Sequence, residues 1–432
     1  MIPSPPTTCF VPGTRNLKRL FTILLSAAAL LTGACGFNKS GIVIPAYLET
    51  VGWQDNATLL EHGSFSDYAT AVQREVLRSR VPFVVDNAAS EAMLASPAEY
   101  PTAAHCDTTH GIALLVHGLS DTAFSMRDLA LSMSEHCYIA RTVLLPGHGT
   151  RPGDLLSIRL ADWTDTVQYL LAQAAREHDH VVAIGFSLGA VLLLTEAIQP
   201  DSPIDAVVTI SPAFHLTTSP WADLTRWLHP VRRWLDKEKP DDTYRYEAIP
   251  TIAVAQTIQA KNRVHRALKR ERSVELPWLM VQSENDLVIR TEKNRQLFAN
   301  YASHRASQSI TFYGLSEEAE ISAPEQAAFV KLAGFSRPDQ VSGLTHVAIH
   351  QSPANHHYGR AGDYRNCGTG GPRTRPAVHL CEQAERPWLG PWNEEAPDEG
   401  AYGMSTYNPQ FDELSDYLFR FLSTARQSTA SQ

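Results

Sequence analysis

The chain has 432 residues, enough for one large α/β domain with an insertion or for two domains. Hydrophobic residues make up 44%, which supplies a sizeable core and argues against global disorder. The formal charge is −9 and no basic run lies beyond the N-terminal region, which argues against nucleic-acid binding as a main role.

In chain order, the first segment reads as an address rather than as fold. Arg15, Lys18 and Arg19 precede an apolar run, Leu20 to Leu31, too short for a comfortable membrane span. Thr32-Gly-Ala-Cys35 closes it with small residues and a cysteine. This resembles the signal peptide and lipobox of bacterial lipoproteins. The resemblance implies a leader over 1–34, lipidation of Cys35, and membrane attachment in the cell envelope. Gly36 in place of an Asp points to the outer membrane or periplasm. Ordinary secretion with an unmodified Cys35 is the alternative. A tether is expected over 35–60.

The core is expected to begin at 61. Apolar residues at helical spacing predict a helix over 64–80, and an edge strand is expected at 81–85. Gly111 to Gly118 reads as a buried strand entering a loop. A helix over 122–135, a strand over 138–145 and a helix over 161–177 follow. Val181 to Phe186 is an apolar strand, and Ala190 to Ala197 a helix. The next strand is expected at 204–211. This alternation predicts an α/β, doubly wound, mostly parallel sheet. The rhythm breaks at Pro212. Residues 212–273, with helical patterns at 222–236 and 246–269, read as a helical cap between a first core part (61–211) and a second (274–432). Strands at 276–282 and 309–313, the latter taken as the last, flank a helix over 291–302. A closing helix starts at Phe411. Between them, 315–410 is long and loop-rich, a length that suggests decoration or function, and 351–410 within it reads as an insertion.

Of six cysteines, Cys9 lies in the leader and Cys35 at its end. The remaining Cys106, Cys137, Cys367 and Cys381 suggest two disulfides in an oxidising compartment. Three pairings are possible; Cys106–Cys137 and Cys367–Cys381 are favoured by local spacing. No spacing suggests a structural zinc.

The chemistry centres on Gly185-Phe-Ser-Leu-Gly189. A serine on a sharp strand-to-helix turn has its hydroxyl forced into the open, so Ser187 is the candidate nucleophile. A serine hydroxyl needs a base, an acid to orient the base, and donors for the oxyanion. Asp286, past the carboxyl end of a strand, is the candidate acid, with Glu284 as the nearby alternative. His346 is the candidate base, with His350 as its rival. His356 and His357 read as loop residues. The backbone N–H groups of Leu119 and Leu188 are the candidate oxyanion donors. His117 reads as a brace for its loop. Phe214, Trp221, Trp227 and Trp234 either line an acyl pocket or form the cap's own core.

Together V-H-G-L, L-P-G-H-G-T-R-P-G-D, G-F-S-L-G, S-E-N-D and T-H-V resemble the α/β-hydrolase superfamily. The L-P-G-H-G segment and the cap are similar to its monoacylglycerol lipase, carboxylesterase and serine aminopeptidase-like branch. The resemblance covers roughly 105–350. It implies hydrolysis of a small-molecule ester, lipid-like or acyl, with Ser187, Asp286 and His346 as triad and no cofactor or metal. It implies a loop-shaping role for His148. An exported amidase or peptidase, or a non-catalytic envelope protein on the same scaffold, are the competing expectations. Two departures stand out: the long gap between the strand at 309–313 and His346, and the insertion itself.

Overall fold

The computed structural model describes residues 45–53, 63–82, 85–217, 232–237, 240–321, 328–367, 380–391 and 401–430. The expected leader, Cys35, Trp221 and Trp227 lie outside the described residues, as does most of the helix expected at 222–236.

Eight strands form one sheet: β1 (Ala98–Tyr100), β2 (Gly111–Val116), β3 (Tyr138–Val143), β4 (Val181–Phe186), β5 (Ala206–Ile210), β6 (Trp278–Ser283), β7 (Gln308–Tyr313) and β8 (Phe329–Ala333). Their order is β1-β3-β2-β4-β5-β6-β7-β8. Only β1 runs antiparallel to its neighbour; the other pairings are parallel. Every residue of β2, β4, β5 and β6 is buried, as befits strands covered on both faces.

The pleat sends alternate residues into two cores. Ile112, Leu114 and Val116 join the core under α1 (Phe65–Ser79), α4 (Leu160–Glu177), α5 (Leu188–Ala197), α6 (Thr251–Glu271) and α7 (Thr291–Tyr301). Ala113 and Leu115 join the core under α3 (Arg127–Glu135) and α9 (Phe411–Ala430). Two shorter helices, α2 (Ala88–Ala95) and α8 (Glu318–Ile321), complete the numbering. Among the described residues, no helix is long and apolar enough to cross a membrane.

The strand order reverses between β2 and β4. Loops leaving the carboxyl ends of these two strands therefore diverge and open a crevice, the usual place for a site in an open α/β sheet. β2 leads to His117-Gly-Leu119, and β4 leads to Ser187.

Four expectations differ from the structure. Val81 and Pro82 belong to no strand; the edge strand is β1, held antiparallel on β3. The strand at 308–313 is not the last, because β8 adds to it in parallel. The long gap before His346 thus contains a strand, β8. The tether ends earlier than 60. Leu48 is buried, and the backbone N–H groups of Val51 and Gly52 donate to Asp154 Oδ1 at 3.0 and 3.2 Å. The helix expected at 246–269, α6, starts at Thr251 rather than 246, and Asp242–Ala248 precedes it as irregular chain.

Both favoured cysteine pairs are bonded, with Cα–Cα distances of 5.5 Å for Cys106–Cys137 and 5.6 Å for Cys367–Cys381.

Candidate active site

Ser187 sits where β4 turns into α5, in a left-handed conformation with φ 51° and ψ −108°. Such a conformation is costly for a non-glycine residue and persists only where its surroundings impose it. The two glycines beside it explain how they do. A Cβ on Gly189 would lie 2.2 Å from the Val116 carbonyl oxygen. One on Gly185 would lie 2.5 Å from the Ala190 nitrogen. Helix and strand backbones therefore pass too closely for any side chain at these positions. The Ser187 N–H donates to the Ile210 carbonyl at 2.9 Å, which pins the turn to β5.

Asp286 follows β6. Its Oδ1 accepts from the N–H groups of Val288 (2.8 Å) and Ile289 (3.1 Å), which fixes the carboxylate and leaves Oδ2 free to face the crevice. Oδ2 lies 2.7 Å from Nδ1 of His346. With the Nδ1 proton committed there, Nε2 is the acceptor for the Ser187 hydroxyl, at 3.0 Å. The Asp286 side chain is fully buried and that of His346 is 12% exposed. The His346 turn is itself held by the far end of the insertion. The Thr345 N–H donates to Ser405 Oγ at 2.8 Å, and Thr345 Oγ1 donates to the Ser405 carbonyl at 2.8 Å. The structure thus brings Ser187, His346 and Asp286 into one hydrogen-bonded chain.

The alternatives lie elsewhere. Glu284 pairs with Arg295 at 2.9 Å, and burial raises its pKa. His350 is wholly buried, with its ring centroid 4.3 Å from that of Phe186 and neither ring nitrogen hydrogen bonded to any described residue. Burial, with the neighbouring His346, pushes its pKa down to about 3, so it is neutral. His356 is exposed against Phe124. His357 lies in a turn, as expected, but is buried there. It joins Asp242 at 3.1 Å and Asp363 at 2.5 Å. Burial opposes its cation, but the hydrogen bonds and charge of these carboxylates outweigh that and raise its pKa.

The loop after β2 lies against Ser187. A Cβ on Gly118 would come within 3.1 Å of the Ser187 Cβ. His117 Nδ1 donates to the Gly118 carbonyl at 2.7 Å, and its Nε2 accepts from the Leu145 N–H at 3.0 Å. Burial, with His148 nearby, holds its pKa well below the usual histidine range. Leu119 follows on this braced peptide. Leu188 is the first residue of α5, where backbone N–H groups have no partner within their own helix. Of the four aromatics weighed for the acyl pocket, Phe214 is a core residue, packed edge-on to Trp278 with centroids 6.1 Å apart. Trp234 bridges to Pro250.

Comparison with known proteins gives a consistent result. A family model described as serine aminopeptidase, S33 (Hydrolase_4) matches residues 107–314. The thermostable monoacylglycerol lipase of Bacillus sp. (strain H-257) is 30% identical over 182 residues, covering 41% of this chain and 70% of the lipase. Among solved structures, one from a study of two metagenome-derived lipolytic enzymes has a TM-score of 0.44 at 21% identity, over 51% of this chain and 86% of its own. The monoacylglycerol lipase of Paleococcus ferrophilus has a TM-score of 0.43 at 19% identity, over 50% of this chain and 88% of its own.

Proposed function

The chain belongs to the α/β-hydrolase superfamily, and from that premise we propose that it is a serine hydrolase that cleaves carboxylic esters through an acyl-enzyme. One observation carries this reading: the unbroken chain from Asp286 through His346 to Ser187, at 2.7 and 3.0 Å, ending on a serine in a strained turn. In the proposed reaction, Ser187 Oγ attacks the ester carbonyl carbon while His346 Nε2 takes the hydroxyl proton. Asp286 steadies the imidazolium. The negative charge on the former carbonyl oxygen rests on the N–H groups of Leu119 and Leu188. His346 returns the proton to the leaving alcohol, and a water repeats the sequence on the acyl-enzyme.

The monoacylglycerol lipase relative supports an ester with a fatty acyl chain and a small alcohol. The description of the matching family model supports a second reading, amide or peptide hydrolysis with the same groups. A panel of p-nitrophenyl esters of rising chain length, run beside matched anilides, tests both. The ester reading predicts kcat/KM for esters well above that for anilides, and a kcat loss of about 10⁴-fold or more in Ser187→Ala. Equal turnover by wild type and S187A contradicts the nucleophile assignment. A preference for anilides replaces the ester reading with the amidase one.

A further inference from the structure

Ser120, directly after Leu119, is a second strained residue in this region, with φ 69°. Both of its backbone groups are taken. Its N–H donates to His148 Nε2 at 3.2 Å, and its carbonyl accepts from the Tyr246 N–H at 2.8 Å. We propose that His148 is a positioning residue for the oxyanion loop, acting through the Ser120 N–H to fix the direction of the Leu119 N–H. The proposal rests on the reading of Leu119 as an oxyanion donor.

The argument is one of peptide planes. A peptide unit is rigid and planar, with its C=O and N–H opposed. The Leu119 N–H shares a plane with the Gly118 carbonyl, which His117 holds from one side. The next plane joins the Leu119 carbonyl to the Ser120 N–H, which His148 holds from the other. With both planes fixed, Leu119 has no freedom to swing its N–H away from the crevice. With only one fixed, the strain at Ser120 is free to relax by rotating the second.

His148 suits the task. Its Nδ1 faces the carbonyls of Leu145 and Pro146 at 3.1 and 3.2 Å, so Nδ1 carries the proton and Nε2 offers a lone pair. Burial pushes its pKa down to about 4, which keeps that lone pair available at neutral pH. The ring is wholly buried, edge-on to His117 at 4.9 Å and parallel to Tyr246 at 6.2 Å. Trp163 Nε1 donates to the Pro146 carbonyl at 3.0 Å and so anchors the loop that carries it. His148 touches no reacting atom. Its effect on the reaction runs entirely through the backbone of Ser120.

The test uses the full chain and two variants that lack the acceptor, His148→Phe and His148→Leu. His148→Gln keeps an acceptor at about the reach of Nε2. Each is checked for folding by thermal unfolding. Turnover is measured on the best p-nitrophenyl ester, and affinity for an alkyl trifluoromethyl ketone, whose tetrahedral adduct places an oxyanion against the same donors. Deleting an oxyanion donor outright costs about 10²–10³-fold, so misaiming one should cost about 10–10². H148F and H148L are expected to lose kcat by about that factor with KM within about twofold, and to lose ketone affinity in parallel. H148Q is expected to recover most of both. A folded H148F or H148L with wild-type kcat and ketone affinity overturns the proposal, and so does an H148Q no better than H148L. If neither acceptor-less variant folds, H148Q decides: near-wild-type kcat and ketone affinity support the proposal, and a folded H148Q with both lost overturns it. A wild type that turns over no ester takes the hydrolase reading down and this inference with it; active wild type with indifferent His148 variants removes the inference alone.

Discussion

His346 and His350 stand close together in the chain, and the fold gives them opposite surroundings. One bridges a carboxylate and a hydroxyl; the other is sealed against Phe186 with no partner for either nitrogen among the described residues. The sequence put His346 first from its short turn and kept His350 as a rival; their environments were not legible in it, because the difference lies in which tertiary neighbours each meets. The same holds for Glu284 and Asp286. His148 was half legible: the resemblance of L-P-G-H-G implied a shaped loop, but the hydrogen bond from the Ser120 N–H to its ring is invisible in residue identity. His350 yields a prediction with a definite sign. Its folded-state pKa is about 3, below the unfolded value of about 6.5. Its stability contribution is therefore present above about 6.5 and is lost as pH falls toward 3, since only the unfolded chain takes up the proton. His350→Phe keeps a ring and removes that penalty. Relative to wild type it should gain about 2 kcal/mol more stability at pH 5 than at pH 8, read from denaturant unfolding at both. An identical difference at the two pH values contradicts it.

At the scale of elements, the strands that matter most were the easiest to read. β2, β4, β5 and β6 are buried on both faces, so they appear as continuous apolar runs that need no periodicity to be seen. β8 escaped because it lies at the sheet's edge and alternates between buried and half-buried residues over only five positions. β1 is three residues long and carries a glutamate. Both edges thus lacked the signal that marked the middle. The insertion was recognised as unusual, but its role was not legible. It packs onto the core and the irregular chain before α6: Tyr358 meets Asp242 at 3.0 Å, Asn355 donates to Asp128 at 2.8 Å, and Ser405 holds the His346 turn. Cysteine spacing did indicate the two staples. The Cys106–Cys137 bridge joins the approach to β2 with the α3–β3 turn across a separation of 31, and Cys367–Cys381 closes one of 14. Replacing either pair by serine should lower unfolding free energy by about 3–4 kcal/mol for the first and about 3 kcal/mol for the second. Unchanged denaturant midpoints would show that neither bridge constrains the unfolded chain as this estimate assumes.

For the whole molecule, sheet topology converts a linear order of motifs into a site. The reversal between β2 and β4 sets the loop after β2 beside the turn that carries Ser187, while β6 and the turn after β8 bring Asp286 and His346 from far along the chain. The chain order of serine, aspartate and histidine was visible in the sequence; their convergence is a property of the sheet. Phe214 belongs to the core, and the ester panel reads out the acyl preference directly. The central claim is that Ser187 is the nucleophile, and a covalent label reports it most directly. After treatment with a fluorophosphonate, peptide mass spectrometry of the full chain should find one adduct, on Ser187, and none in S187A. A folded wild-type protein that takes no label, or takes it at another residue, contradicts the account.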